Sequence, residues 1–121
     1  MSVRFSVQVK TRNPLNGQAG NSRLASILRA KERSRQRTLC NMMTRAHVKR
    51  PEFPCVVKLT RVAPSNGLDP HDGLGAALKG VIDGVADGLG LTNDRDGRVT
   101  WELGQRRGKG YAVEVEITER P

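Results

Sequence analysis

The stretch Gly67–Trp101, GLDPHDGLGAALKGVIDGVADGLGLTNDRDGRVTW, constrains this chain more than any other. Leu74, Leu78, Val81, Ile82, Val85 and Leu89 recur at spacings of three and four. At about 100° per residue they cover an arc of roughly 80–100°, which predicts an amphipathic helix with one core face. On the opposite side Asp72, Lys79 and Asp83 fall within about 40° of one another, with only the small Ala76 among them. Asp69 precedes the helix, and Asp94 and Asp96 return in the turn after it. Carboxylates gathered with one lysine suit a divalent metal and an anionic substrate. The plainer alternative is an i,i+4 surface pair of Lys79 with Asp83, worth ~0.3 kcal/mol, with Asp94 and Asp96 as turn formers.

The same helix carries Gly73, Gly80, Gly84 and Gly88 on a strip between its two faces. Each glycine weakens an isolated helix by about 1 kcal/mol relative to alanine. Such a strip implies close packing against the other helix, the sheet or a second subunit.

The remaining elements follow from periodicity. Val3, Phe5, Val7 and Val9 alternate with polar residues, as in a half-buried strand. TRNPLNGQAGN reads as a loop. Asn21 or Ser22 is placed to cap a helix that runs to His47. Cys55–Val62 is a second strand. Val99–Arg106 and Tyr111–Thr118 alternate as two more, and RRGKG between them predicts an antiparallel hairpin with a basic tip. The order β-α-β-α-β-β is α+β, with a mixed or antiparallel sheet and two helices. At 121 residues, one domain over 1–121 is expected.

Charge is unevenly placed. Residues 1–61 carry 14 Lys/Arg against Glu32 and Glu52, whereas residues 62–121 carry 7 against 10 acids. The first half is therefore +12, the second −3 and the whole +9. An arginine excess of this kind points to a phosphate-backbone partner. Arg29, Lys31, Arg33, Arg35 and Arg37 crowd the middle of the first helix, where the apolar stripe is weak. That segment is either exposed or interrupted, and in both cases phosphate can reach it. Arg106, Arg107 and Lys109 make the basic tip between the last two strands.

Cys40 and Cys55 have no C-x-x-C spacing, and His47 and His71 do not complete a zinc set. Reduced interior thiols in a cytoplasmic protein are expected. No apolar run approaches the ~20 residues of a membrane helix. No phosphate-binding loop of the G-x-x-x-x-G-K type is present, so no nucleotide cofactor is expected.

Three segments together resemble the RusA-type crossover junction endonucleases, small phage and prophage Holliday junction resolvases. They are L-D-x-H-D-G-L-x-x-A-L-K-x-V-x-D-G-x-A-D-x-L-G with its acidic turn, R-V-T-W, and Y-A-V-E-V. The resemblance covers residues 55–119; before them only the order of elements agrees. It implies a homodimer that binds branched DNA and hydrolyses phosphodiesters at four-way junctions with Mg²⁺, or Mn²⁺ in its place. It makes Asp72, Lys79 and Asp94 catalytic, with Lys79 one helical turn later than the family's lysine. Asp69, Asp72, Asp94 and Asp96 become the metal-ligand candidates and His71 a possible accessory. Pro70 stands where the family has its first aspartate, Asp69 one residue earlier, and Gly73 replaces an asparagine. Those two departures favour the alternative, a non-catalytic basic nucleic-acid-binding protein with a degenerate site of this type.

Overall fold

Along the chain the described elements are β1 (Ser2–Val7), α1 (Arg23–His47), β2 (Cys55–Ala63), α2 (Gly73–Ala77), α3 (Lys79–Gly88), β3 (Val99–Arg107) and β4 (Ala112–Glu119). They come from a computed structural model that describes residues 2–11, 23–64, 67–68 and 73–120. The loop after Thr11 and the caps expected at Asn21 or Ser22 lie outside the described residues. The architecture is α+β with a mixed four-stranded sheet in the order β1-β4-β2-β3.

The expected hairpin between β3 and β4 does not form, because β2 lies between them. β2 is the strand with the most to bury: Cys55, Val57 and Leu59 have no exposed surface. It therefore takes an inner position, paired in parallel with β3 from Cys55↔Val99 to Ala63↔Arg107 and antiparallel with β4 from Cys55↔Glu119 to Val62↔Ala112. The link between β3 and β4 then steps across the end of β2. Gly108 N donates to Ala63 O at 3.0 Å. A Cβ at residue 108 would come within 2.5 Å of Val62 Cγ1, so the crossing needs glycine.

All helices pack on one face of the sheet. Val57, Leu59, Val113, Val115 and Ile117 meet Leu74, Leu78, Val81, Ile82, Val85 and Leu89 in one core. The whole apolar stripe of the organising helix is thus buried. On the other face, Arg4, Glu116, Lys58 and Glu102 share one rung of the ladder and alternate in sign. A depression of about 370 Å³ on that face is lined by Arg4, Lys58, Thr60 and Glu114 among others, away from the acidic turn.

The organising helix is two helices, not one. Leu78 leaves the α-helical well at φ −96° and ψ 2°. The hydrogen bonds continue through the bend, from Leu78 N to Leu74 O at 3.1 Å and from Ile82 N to Leu78 O at 2.9 Å. The bend lets α2 lie toward β3 while α3 lies along α1. At the far end Gly90 adopts φ +80°, with Gly90 N to Asp87 O at 3.0 Å and Leu91 N to Ala86 O at 2.9 Å. That is a Schellman stop, which satisfies the last carbonyls and requires a residue tolerant of the left-handed region.

Gly80, Gly84 and Gly88 of the glycine strip belong to the seam between α1 and α3. A Cβ at Gly80 would lie 2.9 Å from Arg33 O; one at Gly84 would collide with Arg37 O and lie 2.7 Å from Cys40 Cβ; one at Gly88 would lie 2.5 Å from Thr44 Cβ. The pairing rises along both helices, so they run in the same direction. Of the three partners left open by the sequence, α1 is the one packed there, and the strip is not evidence for a second subunit. Cys40 and Cys55 are buried free thiols, and burial pushes the Cys40 thiol up to about 12. No helix among the described residues is long and apolar enough to cross a membrane.

Candidate functional site

α3 begins at Lys79, and its side chain is the centre of the acidic site. Lys79 Nζ lies 3.2 Å from Asp83 Oδ1, one turn along, and 3.1 Å from Asp94 Oδ2 in the turn before β3. The i,i+4 pair expected from the sequence therefore exists, and a third residue joins it. Burial pushes Lys79 down, but its bonds to Asp94 and Asp83 outweigh that and hold its pKa above the ordinary value. The bond from Lys79 holds the Asp94 carboxyl below its usual range.

The turn LTNDRDGRV explains why Asp94, and not Asp96, faces Lys79. Asn93 Oδ1 accepts from Arg95 N at 2.8 Å, and Asp96 Oδ1 accepts from Arg98 N at 3.0 Å. Both are side chains bonded to the backbone two residues on, which locks local turns. Asp96 is further occupied by the Arg98 guanidinium at 2.9 Å, which lowers its carboxyl to about 2. Asp94 is the carboxylate left between these two turns. Its own backbone is fixed: Trp101 Nε1 donates to Asp94 O at 2.9 Å. Of the two turn formers the sequence offered, Asp94 and Asp96, only Asp96 serves as one; Asn93 is the other.

Gln105 was not singled out from sequence. It stands on the helix side of β3, in register with Arg61 of β2. Leu68 N donates to its Oε1 at 2.8 Å, and its Nε2 donates to Leu68 O at 2.7 Å. A Cβ on Gly67 would lie 3.0 Å from this carboxamide. Arg61 itself is 3% exposed and bonds Thr11 through Oγ1 and O, each at 3.1 Å. This buried guanidinium ties Thr11, four residues past β1, to the sheet.

Asp69, His71 and Asp72 lie outside the described residues, in the four positions between Leu68 and α2. Among the described residues no three potential ligands gather as a metal cluster. Asp83 and Asp94 are hard oxygen donors of the type Mg²⁺ takes, and each spends one oxygen on Lys79.

The basic residues divide. α1 is one continuous helix, so its middle is exposed rather than interrupted. Lys31, Arg33 and Arg35 are exposed and Arg29 is partly so; Arg35 bonds Glu32 at 3.4 Å. Arg37 is engaged across the seam, with Nε and Nη2 on the two oxygens of Asp87 at 2.7 and 2.9 Å. Arg33 is distant from Lys79 in sequence but close in space, since a Cβ on the adjoining Gly80 would lie 3.1 Å from Arg33 Cγ. The part of α1 before Arg33 runs on past the start of α3. Arg106 lies on the open face of the sheet and pairs with Glu114 at 2.8 Å, away from that site. Arg107 Nε reaches Pro64 O at 3.3 Å, and Lys109 is exposed in the link to β4. The basic tip of a hairpin is thus replaced by three residues with separate surroundings.

No family model matches the sequence, and no curated protein matches it.

Proposed function

We propose that this protein is a Mg²⁺-dependent, structure-selective DNA endonuclease that hydrolyses phosphodiesters at four-way junctions, as its resemblance to the RusA-type resolvases implies. The observation that carries this is the Lys79 ammonium bonded to both Asp83 and Asp94 beside the arginine-rich helix. A cation held between carboxylates at the edge of a basic helix supports a polyanionic substrate. Asp72 and Asp94 would hold Mg²⁺, with Asp69 as a further ligand, as the resemblance implies. When bound, the ion supplies the charge that activates an attacking water and neutralises phosphate. Lys79, a cation at neutral pH as any lysine is, would stabilise charge developing on the phosphate oxygens. Asp83 orients Lys79. Arg33 and its neighbours on α1 hold the DNA backbone without reading bases. A homodimer supplies two such sites related by a twofold, which symmetric cleavage of a junction requires.

A second reading has its own support. A lysine bridging two carboxylates is complete as a structural clasp, and Pro70 and Gly73 depart from the family pattern. A basic nucleic-acid-binding protein without chemistry would keep all of this.

Nicking of synthetic four-way junctions, with and without EDTA, separates the two. The nuclease cuts, and EDTA stops it. Asp72→Asn and Asp94→Asn abolish cutting while junction binding is kept or tightened, because a carboxylate that repels phosphate is removed. Asp96→Asn retains most of the activity, since Asp96 serves Arg98. Equal, mild losses from Asp94→Asn and Asp96→Asn would remove Asp94 from the site, and an uncut junction with the wild-type protein would leave the binding protein.

A further inference from the structure

We propose that the open face of the sheet is where two copies of this chain meet, face to face about a twofold axis that runs parallel to the strands between β4 and β2. The proposal rests on the homodimer reading above for its partner, a second copy, and adds the surface and the orientation.

Net charge points to this face first. Two copies of a chain at +9 repel, most strongly through their arginine-rich helices. The open face is locally neutral: Arg4, Lys58 and Arg106 balance Glu102, Glu114 and Glu116. The order of the charges then selects an orientation. Arg4, Glu116, Lys58 and Glu102 form one rung, so the signs alternate from β1 to β3. A twofold along the strands reverses that order in the partner. It lays Arg4 over the partner's Glu102 and Lys58 over the partner's Glu116, and an isologous contact repeats each pair. A twofold across the strands would lay every charge over its own copy, like on like. The pattern accepts the first arrangement and rejects the second.

The same arrangement supplies partners to the charges that lack them. Arg4 bonds Glu116 at 2.7 Å and Arg106 bonds Glu114 at 2.8 Å. Lys58 and Glu102 are exposed and, among the described residues, form no ion pair, although they are register neighbours. The rungs on either side are small. Ser2, Thr118 and Thr100 flank the charges on one side, and Ser6, Thr60 and Gly104 on the other. They leave a hollow of about 370 Å³ beside Arg4, Lys58 and Glu116, with room for the ends of the partner's long side chains. Sheets packed in this aligned way stand about 10 Å apart. Four strands about 4.8 Å apart and about seven residues long present roughly 440 Å² of flat face, or some 900 Å² over two copies. That is the small end of specific interfaces, so association is weak and sensitive to salt. All helices lie on the other face, so α1 and the Lys79–Asp94 pair stay on the outside of an α-β-β-α sandwich.

The test is sedimentation equilibrium of the full chain without DNA, with charge reversals. Wild type is expected to dimerise at low salt and to dissociate as salt is raised. Glu102→Lys and Arg4→Glu each set like charges against the partner, and each should raise the dissociation constant at least tenfold. An equimolar mixture of the two variants should recover a dimer within about threefold of wild type, because in the mixed pair every reversed charge meets its opposite. Far-ultraviolet circular dichroism establishes that each variant is folded. Lys58→Glu mixed with Glu116→Lys obeys the same logic, and carries the test if either of the first two does not fold.

A wild-type chain that stays monomeric at every salt concentration overturns the proposal and the homodimer reading together. A dimer indifferent to the reversals overturns this face and leaves the homodimer. Loss in both variants without recovery in the mixture overturns the facing arrangement. Nicking is scored separately: recovery in the mixture upholds the face whether or not the wild type cuts a junction.

Discussion

The two halves of α1 carry three Lys/Arg each and have opposite fates. From Arg33 to Thr44 the helix lies against α3, with Gln36, Cys40 and Thr44 buried and the glycine strip pressed onto its backbone. From Arg23 to Glu32 it carries Leu24, Ile27 and Leu28 at helical spacing, yet these are 65%, 44% and 56% exposed. Apolar spacing is present in both halves. What differs is the partner: α3 begins at Lys79, beside Arg33, and there is no glycine strip to admit the first half of α1. A helix is locked by the surface that can approach it, and here glycine sets that approach.

Breaking the grip should have the largest effect. Gly84→Ala places a methyl against Arg37 O and Cys40 Cβ, and backbone cannot step aside as a side chain can. Overpacking of this kind costs typically 1–3 kcal/mol, and the ~1 kcal/mol that alanine adds as a helix former only partly offsets it. Urea unfolding should show a net loss of at least ~1 kcal/mol by that balance. Gly75→Ala is the control: nothing lies within 4 Å of its Cβ, so stability should hold or rise by up to about 1 kcal/mol. Equal losses at both positions would mean that the seam is not the cause.

The middle-sized effect sharpens the comparison through charge. On duplex arms each phosphate contact contributes about −0.9 to the log–log salt slope of binding. Lys31→Gln, in the overhanging half, should flatten that slope by about one unit. Arg37→Gln should flatten it less, because Asp87 already holds that guanidinium. Arg37→Gln should instead destabilise the fold by about 0.5 kcal/mol, the discounted value of a largely exposed ion pair. The sign with pH follows from Asp87. The bond from Arg37 lowers its folded carboxyl below the ordinary value. Its contribution is therefore full above about pH 4, the unfolded value, and fades as pH falls through the lower folded one. Wild type and Arg37→Gln should converge in strong acid. A gap that persists there would mean that Arg37 steadies the seam by something other than the Asp87 charge, and a full-unit slope change would assign Arg37 to DNA.

The smallest effect comes from the overhang itself. Leu24→Gln, Ile27→Gln and Leu28→Gln should each change stability by no more than about 0.5 kcal/mol, as for surface positions generally. A loss several times larger in any of them would show that this half of α1 is covered in solution, and the comparison would collapse.

Much of this was legible before any coordinates. The stripe from Leu74 to Leu89, the alternation in four strands and the long basic helix follow from local periodicity, which each segment carries in its own residues. So does the placement of Lys79 and Asp83 on one side of a helix, where the two are bonded. The sequence offered Asp94 and Asp96 as turn formers; Asp96 is one, and the other is Asn93.

Tertiary structure alone decided the rest. Strand order depended on which strand had most to bury, so β2 displaced the short-range pairing of β3 with β4. The glycine strip announced a close neighbour, but only packing chose α1. Asp94 was separated from Asp96 by where two local turns pointed each carboxylate. Arg33 came to lie beside Gly80, and Gln105 to hold Leu68, across 47 and 37 positions of chain respectively. Such contacts depend on the direction in which a sheet and a helix meet. A sequence specifies that direction only through the sum of all its burials, never within one segment.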